Sequence, residues 1–192
     1  MTVIVAVKEL ETGKIWLGGD KYTSLGQSTF RSTQAKVWVS KDSFGNNWVF
    51  GVSGAVSVHQ VARYQIPLPT EDVSKVEEVA GFIFTKWVTE LYRRCKDIGG
   101  TVRKDGNSSE AIDGQILIGV SEQICLVAGI SASPVERSFH TIGSGYLAAY
   151  GALDTIDRHK ILLSPTERIE SAIAAATSID PDIGGGIDIV ST

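Results

Sequence analysis

MTVIVAVKELETGKIWLGGD, residues 1–20, is the stretch that decides the fold. Two runs rich in β-branched and aliphatic residues, 2–8 and 14–20, flank a short segment of turn formers. A short connection between two runs of this kind predicts a β-hairpin. The hairpin returns Asp20 to the end of the sheet where Thr2 begins, so we expect a carboxylate close to this threonine.

Thr2 directly follows the initiator methionine, and this position has a chemical consequence. We expect Met1 to be removed, after which Thr2 carries both a hydroxyl and a free α-amine. Such an amine titrates near pH ~8, close enough to neutrality to act as a general base for the hydroxyl without a histidine. Taken alone, Thr2 is more simply explained as a β-branched residue that opens a strand, so both interpretations stay open at this point.

Composition indicates one globular domain that spans residues 1–192. Hydrophobic residues make up 43% of the chain and charged residues 21%, which is ordinary for a globular protein. The net charge of −4, without a concentrated basic cluster, argues against nucleic acid as a partner. No apolar run approaches the ~20 residues that a membrane span needs, so we expect a cytoplasmic protein without membrane association.

Metal and cofactor chemistry is not indicated. Cys95 and Cys125 form no CxxC pair or Cys/His group, which argues against a zinc site or a disulfide framework. The three histidines, His59, His140 and His159, are too dispersed for a metal site, and no G-x-S-x-G motif supports a serine triad. We expect neither a metal nor a cofactor.

The rest of the chain alternates blocks of strands with pairs of helices. The further predicted strands are 35–41, 48–53, 115–120, 123–128, 137–142 and 187–191. The predicted helices are 54–64, 72–96, 145–157 and 165–178, the last capped by Ser164. The segments 21–33 and 97–113 are predicted as loops. This order favours stacked antiparallel sheets with helices outside over a doubly wound parallel sheet.

Short motifs in a fixed order resemble those of a known family. They are Gly18-Gly19-Asp20, Lys36, Val52-Ser53-Gly54, the run from Gly143 to Asp154, and the run from Asp180 to Asp188. In this order and spacing they resemble the proteasome β-subunit family, including its bacterial HslV-type branch, over essentially the whole chain. The resemblance implies an α+β fold, the four-layer αββα sandwich of the N-terminal-nucleophile hydrolases.

The resemblance also implies a role for each matching position. Thr2 corresponds to the nucleophile and its own α-amine to the base. Lys36 would lower the pKa of that amine and hydroxyl by its charge, and Asp20 would keep Lys36 charged. The backbone N–H of Gly54, at the expected start of a helix, would form the oxyanion hole.

Ser144 and Asp180 correspond to a supporting pair that hydrogen-bonds around the amine. Ile183 stands where the family usually has a serine, so we expect a thinner network there. Five further positions match the substrate cleft and its first specificity pocket: Thr23, Ser24, Gln34, Val52 and Val56. None of these five is charged, so we expect apolar or small neutral residues before the scissile bond.

The function implied is that of a threonine endopeptidase subunit in a self-compartmentalising protease. Its expected partners are copies of itself in a homo-oligomeric ring, peptide or protein substrates, and an ATP-dependent unfoldase. Two alternatives on the same fold stay open. One is a non-catalytic ring-forming or scaffold protein that keeps Met1, and the other is a small-molecule amidase.

A dinucleotide site is the alternative from a different class. Residues 143–148, GSGYLA, match the G-x-G-x-x-A fingerprint between a predicted strand and a predicted helix. The motif falls late in the chain, and no parallel strand with an acidic end follows it in βαβ fashion. We therefore disfavour a nucleotide cofactor.

Overall fold

The fold is described from a computed structural model that covers residues 1–25, 28–98, 102–104 and 110–192. Its strands are β1 Ile4–Lys8, β2 Ile15–Asp20, β3 Tyr22–Leu25, β4 Ser28–Arg31, β5 Val37–Lys41, β6 Asn47–Gly54, β7 Val102–Lys104, β8 Glu110–Val120, β9 Gln123–Gly129, β10 Ser131–Pro134, β11 Phe139–Ile142 and β12 Ile187–Ser191. Its helices are α1 Val56–Tyr64, α2 Val79–Ile83, α3 Thr89–Ile98, α4 Tyr146–Arg158 and α5 Pro165–Ile179, with a 3₁₀ turn at Val73–Lys75 and a π-helical turn at Phe84–Val88 between α2 and α3.

The predicted first hairpin forms the centre of one sheet. Strands β1 and β2 pair antiparallel with Ile4 opposite Gly19, and the sheet order is β11-β1-β2-β12. Residues Val3 to Val7 are fully buried, because both faces of β1 are covered. Val3, Val5 and Val7 pack towards the helices, and the alternate residues Ile4 and Ala6 pack towards the second sheet.

The second sheet lies face to face with the first. Its order is β10-β9-β8-β6-β5, with β7 added beside β8. The core between the sheets joins Ile4 and Leu17 of the first sheet to Val49 and Leu117 of the second. Every strand pairing in the described ranges is antiparallel, so β11 and the turn after it are not part of a βαβ nucleotide-binding unit.

Helices cover the outer face of each sheet. Helices α4 and α5 pack on the first sheet through Leu153, Ile169 and Ile173. Helix α1 and the α2–α3 helix pack on the second through Val58, Trp87 and other residues. The predicted four-layer αββα sandwich is therefore confirmed. The predicted cap of α5 is also confirmed, because Ser164 and Glu167 form a reciprocal capping box.

The prediction of a loop over residues 21–33 is wrong. Strands β3 and β4 form a separate antiparallel hairpin there, with Thr23 opposite Phe30. Strand β4 is exposed along its whole length, so it lacks the alternation of apolar and polar residues that marks a half-buried strand.

The predicted helix 72–96 begins too early. Asp72 caps a 3₁₀ turn by accepting a hydrogen bond from the N–H of Ser74, and Val76 is extended. The helix proper begins at Val79. An aspartate side chain that bonds the backbone two residues on competes with helix formation, and the apolar spacing alone does not reveal this.

The predicted loop 97–113 and strand 137–142 also need correction. The loop contains β7 and the first part of β8, while residues 99–101 and 105–109 lie outside the described residues. Strand β10 was not predicted, and β11 begins at Phe139. In the described ranges, none of the helices is both long enough and apolar enough to cross a bilayer.

Candidate active site

Asp20 is the buried anchor of the site, at the end of β2. It is 1% exposed. Its Oδ1 accepts hydrogen bonds from Val3 N at 3.0 Å and from Lys36 Nζ at 2.8 Å. Its Oδ2 accepts from the backbone N–H groups of Tyr22 and Gly184 at 3.2 and 3.3 Å. Both carboxylate oxygens are thus held in place by several donors.

Lys36, just before β5, connects this carboxylate to Thr2. Its Nζ donates to Asp20 Oδ1 at 2.8 Å and to Thr2 Oγ1 at 2.9 Å. Burial lowers the pKa of Lys36 below its ordinary value, while the charge and hydrogen bond of Asp20 oppose this change. The result is a continuous chain of hydrogen bonds from Asp20 through Lys36 to the threonine hydroxyl.

The turn between β11 and α4 holds the backbone of Thr2. Thr2 N donates to Ser144 Oγ at 3.0 Å, and Gly145 N donates to Thr2 O at 3.2 Å. Gly143 has a φ of +94°, and a Cβ at this position would lie 2.3 Å from Thr2 O. A glycine is required here because the turn passes so close to Thr2. Ser144 therefore contacts the nitrogen that would become the free amine.

Met1 covers Thr2 while it is attached to the chain. Its amino group donates to Ser24 Oγ at 2.7 Å, and its carbonyl accepts from Thr2 Oγ1 at 2.6 Å. Lys36 Nζ also lies 3.4 Å from the Met1 carbonyl oxygen. While Met1 is present, Thr2 N is an amide that cannot serve as a base.

Gly54 lies at the end of β6, and helix α1 begins at Val56 with Ala55 as its N-cap. The expectation that Gly54 itself opens the helix is therefore wrong. It faces Gly114 of β8 and has a φ of +116°. Its N–H as an oxyanion donor stays a prediction.

We expect Gly54→Ala to destabilise the protein by about 2–4 kcal/mol, because it combines a clash with an unfavourable φ. A Cβ at Gly54 would lie 2.4 Å from Gly114 Cα and 2.6 Å from Asp113 O, so the strand pair would have to separate. Denaturant unfolding measures the loss. Gly45→Ala is the matched control, since its φ is +95° but its nearest neighbour atom, on Lys41, is 3.8 Å away. Equal losses for the two variants would contradict the predicted clash.

Thr2 lies between two cavities. One of about 380 Å³, called here the Val52 cavity, is lined by all five predicted substrate-contact residues: Thr23, Ser24, Gln34, Val52 and Val56. The other, of about 480 Å³ and called the Gly114 cavity, has Ser53, Asp113, Gly114 and Ser144 among its lining residues. Thr2, Met1 and Gly54 line both. A ligand bound at Thr2 can therefore extend to either side.

Sequence reasoning missed several residues of the Val52 cavity. Phe30, Ser32 and His59 also line it, and so does Lys36, so the expectation of an uncharged lining is wrong. His59 is 8% exposed, and burial, together with the positive charges of Arg63 and Lys36, lowers its pKa to about 4. The imidazole is thus neutral at pH 7. The helical spacing of three residues from Val56 was a signal that could have identified it.

Asp180 is not joined to the hydrogen bonds around Thr2. Its Oδ1 accepts from Asp182 N at 2.9 Å in the turn after α5, and within the described ranges it makes no hydrogen bond to Thr2 or Ser144. Ile183 is 1% exposed and packs in the core against α4 and α5. Its position is therefore structural, and the role of Asp180 near the amine stays a prediction.

The fold is defined by its four layers, by the strand order in each sheet and by the position of Thr2 before β1. The chain has the fold of proteasome β-type subunits, and the fold that the resemblance in sequence implied is confirmed. It is similar to BPH from Thiobacillus denitrificans in complex with epoxomicin, with a TM-score of 0.72 and 17% identity over 99% of this chain and 97% of that chain. It is also similar to eukaryotic HslV from Trypanosoma brucei, with a TM-score of 0.63 and 16% identity over 98% of both chains.

A third similar structure is Anbu (ancestral β-subunit) from Yersinia bercovieri, with a TM-score of 0.66 and 15% identity over 98% of this chain and 80% of that chain. No protein-family model and no curated protein matches the sequence. At these identities the similarities establish the fold alone, and the activity has to be argued from the residues.

Proposed function

We propose that the chain is a threonine endopeptidase subunit in which Thr2, freed by removal of Met1, is the nucleophile. One observation carries the proposal: Lys36 Nζ lies 2.9 Å from Thr2 Oγ1 and 2.8 Å from Asp20 Oδ1. A buried lysine held by a buried aspartate has no structural need to contact the hydroxyl of Thr2 as well. The contact is what activation of that hydroxyl requires.

The nucleophile and its general base belong to the same residue, Thr2. The α-amine of Thr2 takes the hydroxyl proton as Oγ1 attacks the substrate carbonyl carbon, and the charge of Lys36 stabilises the developing alkoxide. The oxyanion accepts a hydrogen bond from Gly54 N–H. The tetrahedral intermediate then expels the amine product, which receives the proton from the α-ammonium. Water hydrolyses the remaining ester with the same amine as base.

The two cavities favour an internal peptide bond as the substrate. The acyl side of the peptide would lie in the Val52 cavity, and the leaving side would enter the Gly114 cavity. Assembly into a homo-oligomeric ring and action with an ATP-dependent unfoldase are part of this proposal, because HslV and an ancestral β-subunit share the fold.

The second candidate is a non-catalytic ring-forming protein of the same fold, and the contacts of Met1 favour it. The amine of Met1 donates to Ser24 and its carbonyl accepts from Thr2 Oγ1, so Met1, while present, occupies the site with satisfied hydrogen bonds. Retention of Met1 would leave the fold intact and the nucleophile blocked.

Intact mass spectrometry separates the two candidates. We expect the purified protein to lack the mass of Met1 and to gain one stoichiometric adduct with an epoxyketone such as epoxomicin, the compound bound in the Thiobacillus denitrificans structure. Acid-denatured protein is the control and should gain no adduct, since the reaction depends on the assembled site. A retained Met1 without an adduct on the folded protein would reject the peptidase and support the non-catalytic protein.

A further inference from the structure

His59 lies at the Val52 cavity without a role in the proposed reaction. It is one helical turn after Val56 on α1, and both residues line the cavity together with Thr2. Only 8% of His59 is exposed. A polar side chain this deeply buried at a substrate cavity needs a physical reason.

The imidazole of His59 has no hydrogen-bond partner to satisfy it. Its Nε2 is buried without a partner, and no hydrogen bond joins the ring to any residue in the described part of the chain. Buried polar side-chain atoms almost always have a partner, and one that does not costs free energy. Because His59 also lines the Val52 cavity, this unmet capacity points to a ligand group in that cavity as the partner.

The ring of His59 packs against Trp38 with the two ring planes tilted by 51°, and it makes no hydrogen bond within the described residues. The centroids of His59 and Trp38 are 5.1 Å apart, and Trp38 stacks in turn on Phe50 at 5.2 Å. Rotation about the Cβ–Cγ bond exchanges a ring nitrogen for a ring carbon and breaks no hydrogen bond. Either nitrogen can therefore be turned towards a bound side chain.

Resting on the proposed peptidase function, we propose that His59 is a specificity-determining residue whose imidazole hydrogen-bonds a carboxamide side chain, that of glutamine above all, in the Val52 cavity. A carboxamide offers both a donor and an acceptor, so it satisfies either neutral tautomer of the ring. A carboxylate would bring an unpaired charge into a site where Lys36 is already paired with Asp20. A thioether of equal length would leave the ring unsatisfied.

Peptides that differ only in the residue before the scissile bond test the proposal. Glutamine, methionine and glutamate have chains of similar length. We expect kcat/KM for glutamine to exceed that for methionine about tenfold, the size of one satisfied buried hydrogen bond, and to exceed that for glutamate. In His59→Leu the glutamine-to-methionine ratio should fall to about one, and His59→Gln should retain part of it.

Two measurements distinguish a change in specificity from a folding defect. Each variant should react with the epoxyketone at Thr2 and unfold cooperatively, and the ratio of two substrates does not depend on the fraction of active enzyme. His140→Leu is the matched control, a partly buried histidine outside the cavity, and should keep the wild-type ratio.

Three outcomes would overturn the inference. The first is an unchanged ratio in His59→Leu, and the second is a wild-type preference for methionine or glutamate over glutamine. In both cases the peptidase itself stands. The third is absence of both turnover and Thr2 labelling in the wild-type protein, which rejects the proposed function and this inference with it.

Discussion

Thr2→Ala is expected to lose peptide turnover by roughly 10⁶-fold, to the background rate, because it removes the only nucleophile of the proposed reaction. The fold should survive. The Thr2 side chain is half-buried at the cavity wall, and Lys36 keeps its bond to Asp20 at 2.8 Å when the hydroxyl at 2.9 Å is lost. Turnover of a fluorogenic peptide and the mass shift with the epoxyketone measure the loss.

Thr2→Ser is the matched control for this prediction. It keeps a hydroxyl and an α-amine in one residue, so it should still form the adduct and cleave peptides. Intact masses of all three proteins establish that Met1 has been lost in each. Turnover by Thr2→Ala close to the wild-type rate would show that another residue performs the chemistry.

The main architecture was predictable because local patterns in the sequence indicate its strands and helices. The β1–β2 hairpin has a buried, mainly β-branched run in β1 and a second apolar run at 15–17, joined by a short connection, and that pattern also places Asp20 beside Val3, whose N–H bonds its Oδ1 at 3.0 Å. The helices α4 and α5 carry apolar residues at helical spacing, and α5 has a capping box that is visible in the sequence.

The elements that were missed lack such patterns. Strand β4 is exposed throughout, and β7 is only three residues long, so neither shows a buried face in its sequence. The late start at Val79 depends on a side-chain bond from Asp72, which competes with the helix without changing the apolar spacing.

The residues of the site were also predicted in part and missed in part. The contact of Lys36 with Asp20 and Thr2 agrees with the spacing that the resemblance provided. His59 was read as a dispersed histidine, although its three-residue spacing from Val56 was a signal in the sequence, and its position at the cavity also depends on how α1 packs on Trp38, a long-range contact. Asp180 was placed by resemblance alone, and its carboxylate instead bonds the N–H of Asp182.

Asp20→Asn is expected to lower both stability and turnover. An asparagine would place its NH₂ group either at Oδ1, which accepts from Val3 N and Lys36 Nζ, or at Oδ2, which accepts from two backbone N–H groups. In either orientation the buried lysine loses its counter-charge. Breaking a buried pair from one side costs about 3–5 kcal/mol, equivalent to a Tm roughly 10 °C lower for a domain of this size. Thermal unfolding measures this. Glu71→Gln, which breaks the exposed pair with Lys86, is the control and should leave Tm essentially unchanged.

The double variant Asp20→Asn/Lys36→Met distinguishes the structural part of this pair from its chemical part. Removing the buried charge should restore some of the stability that Asp20→Asn loses, but it should not restore turnover, since the hydroxyl of Thr2 then lacks its cation.

The pH profile of the single variant Asp20→Asn provides a second, independent measure. Asp20 raises the pKa of Lys36 against the effect of burial, so its replacement lowers that pKa further, and the alkaline fall in kcat/KM should move to lower pH. A profile that stays in place while Tm falls would mean that Asp20 only supports the fold, and that the charge on Lys36 does not control the reaction.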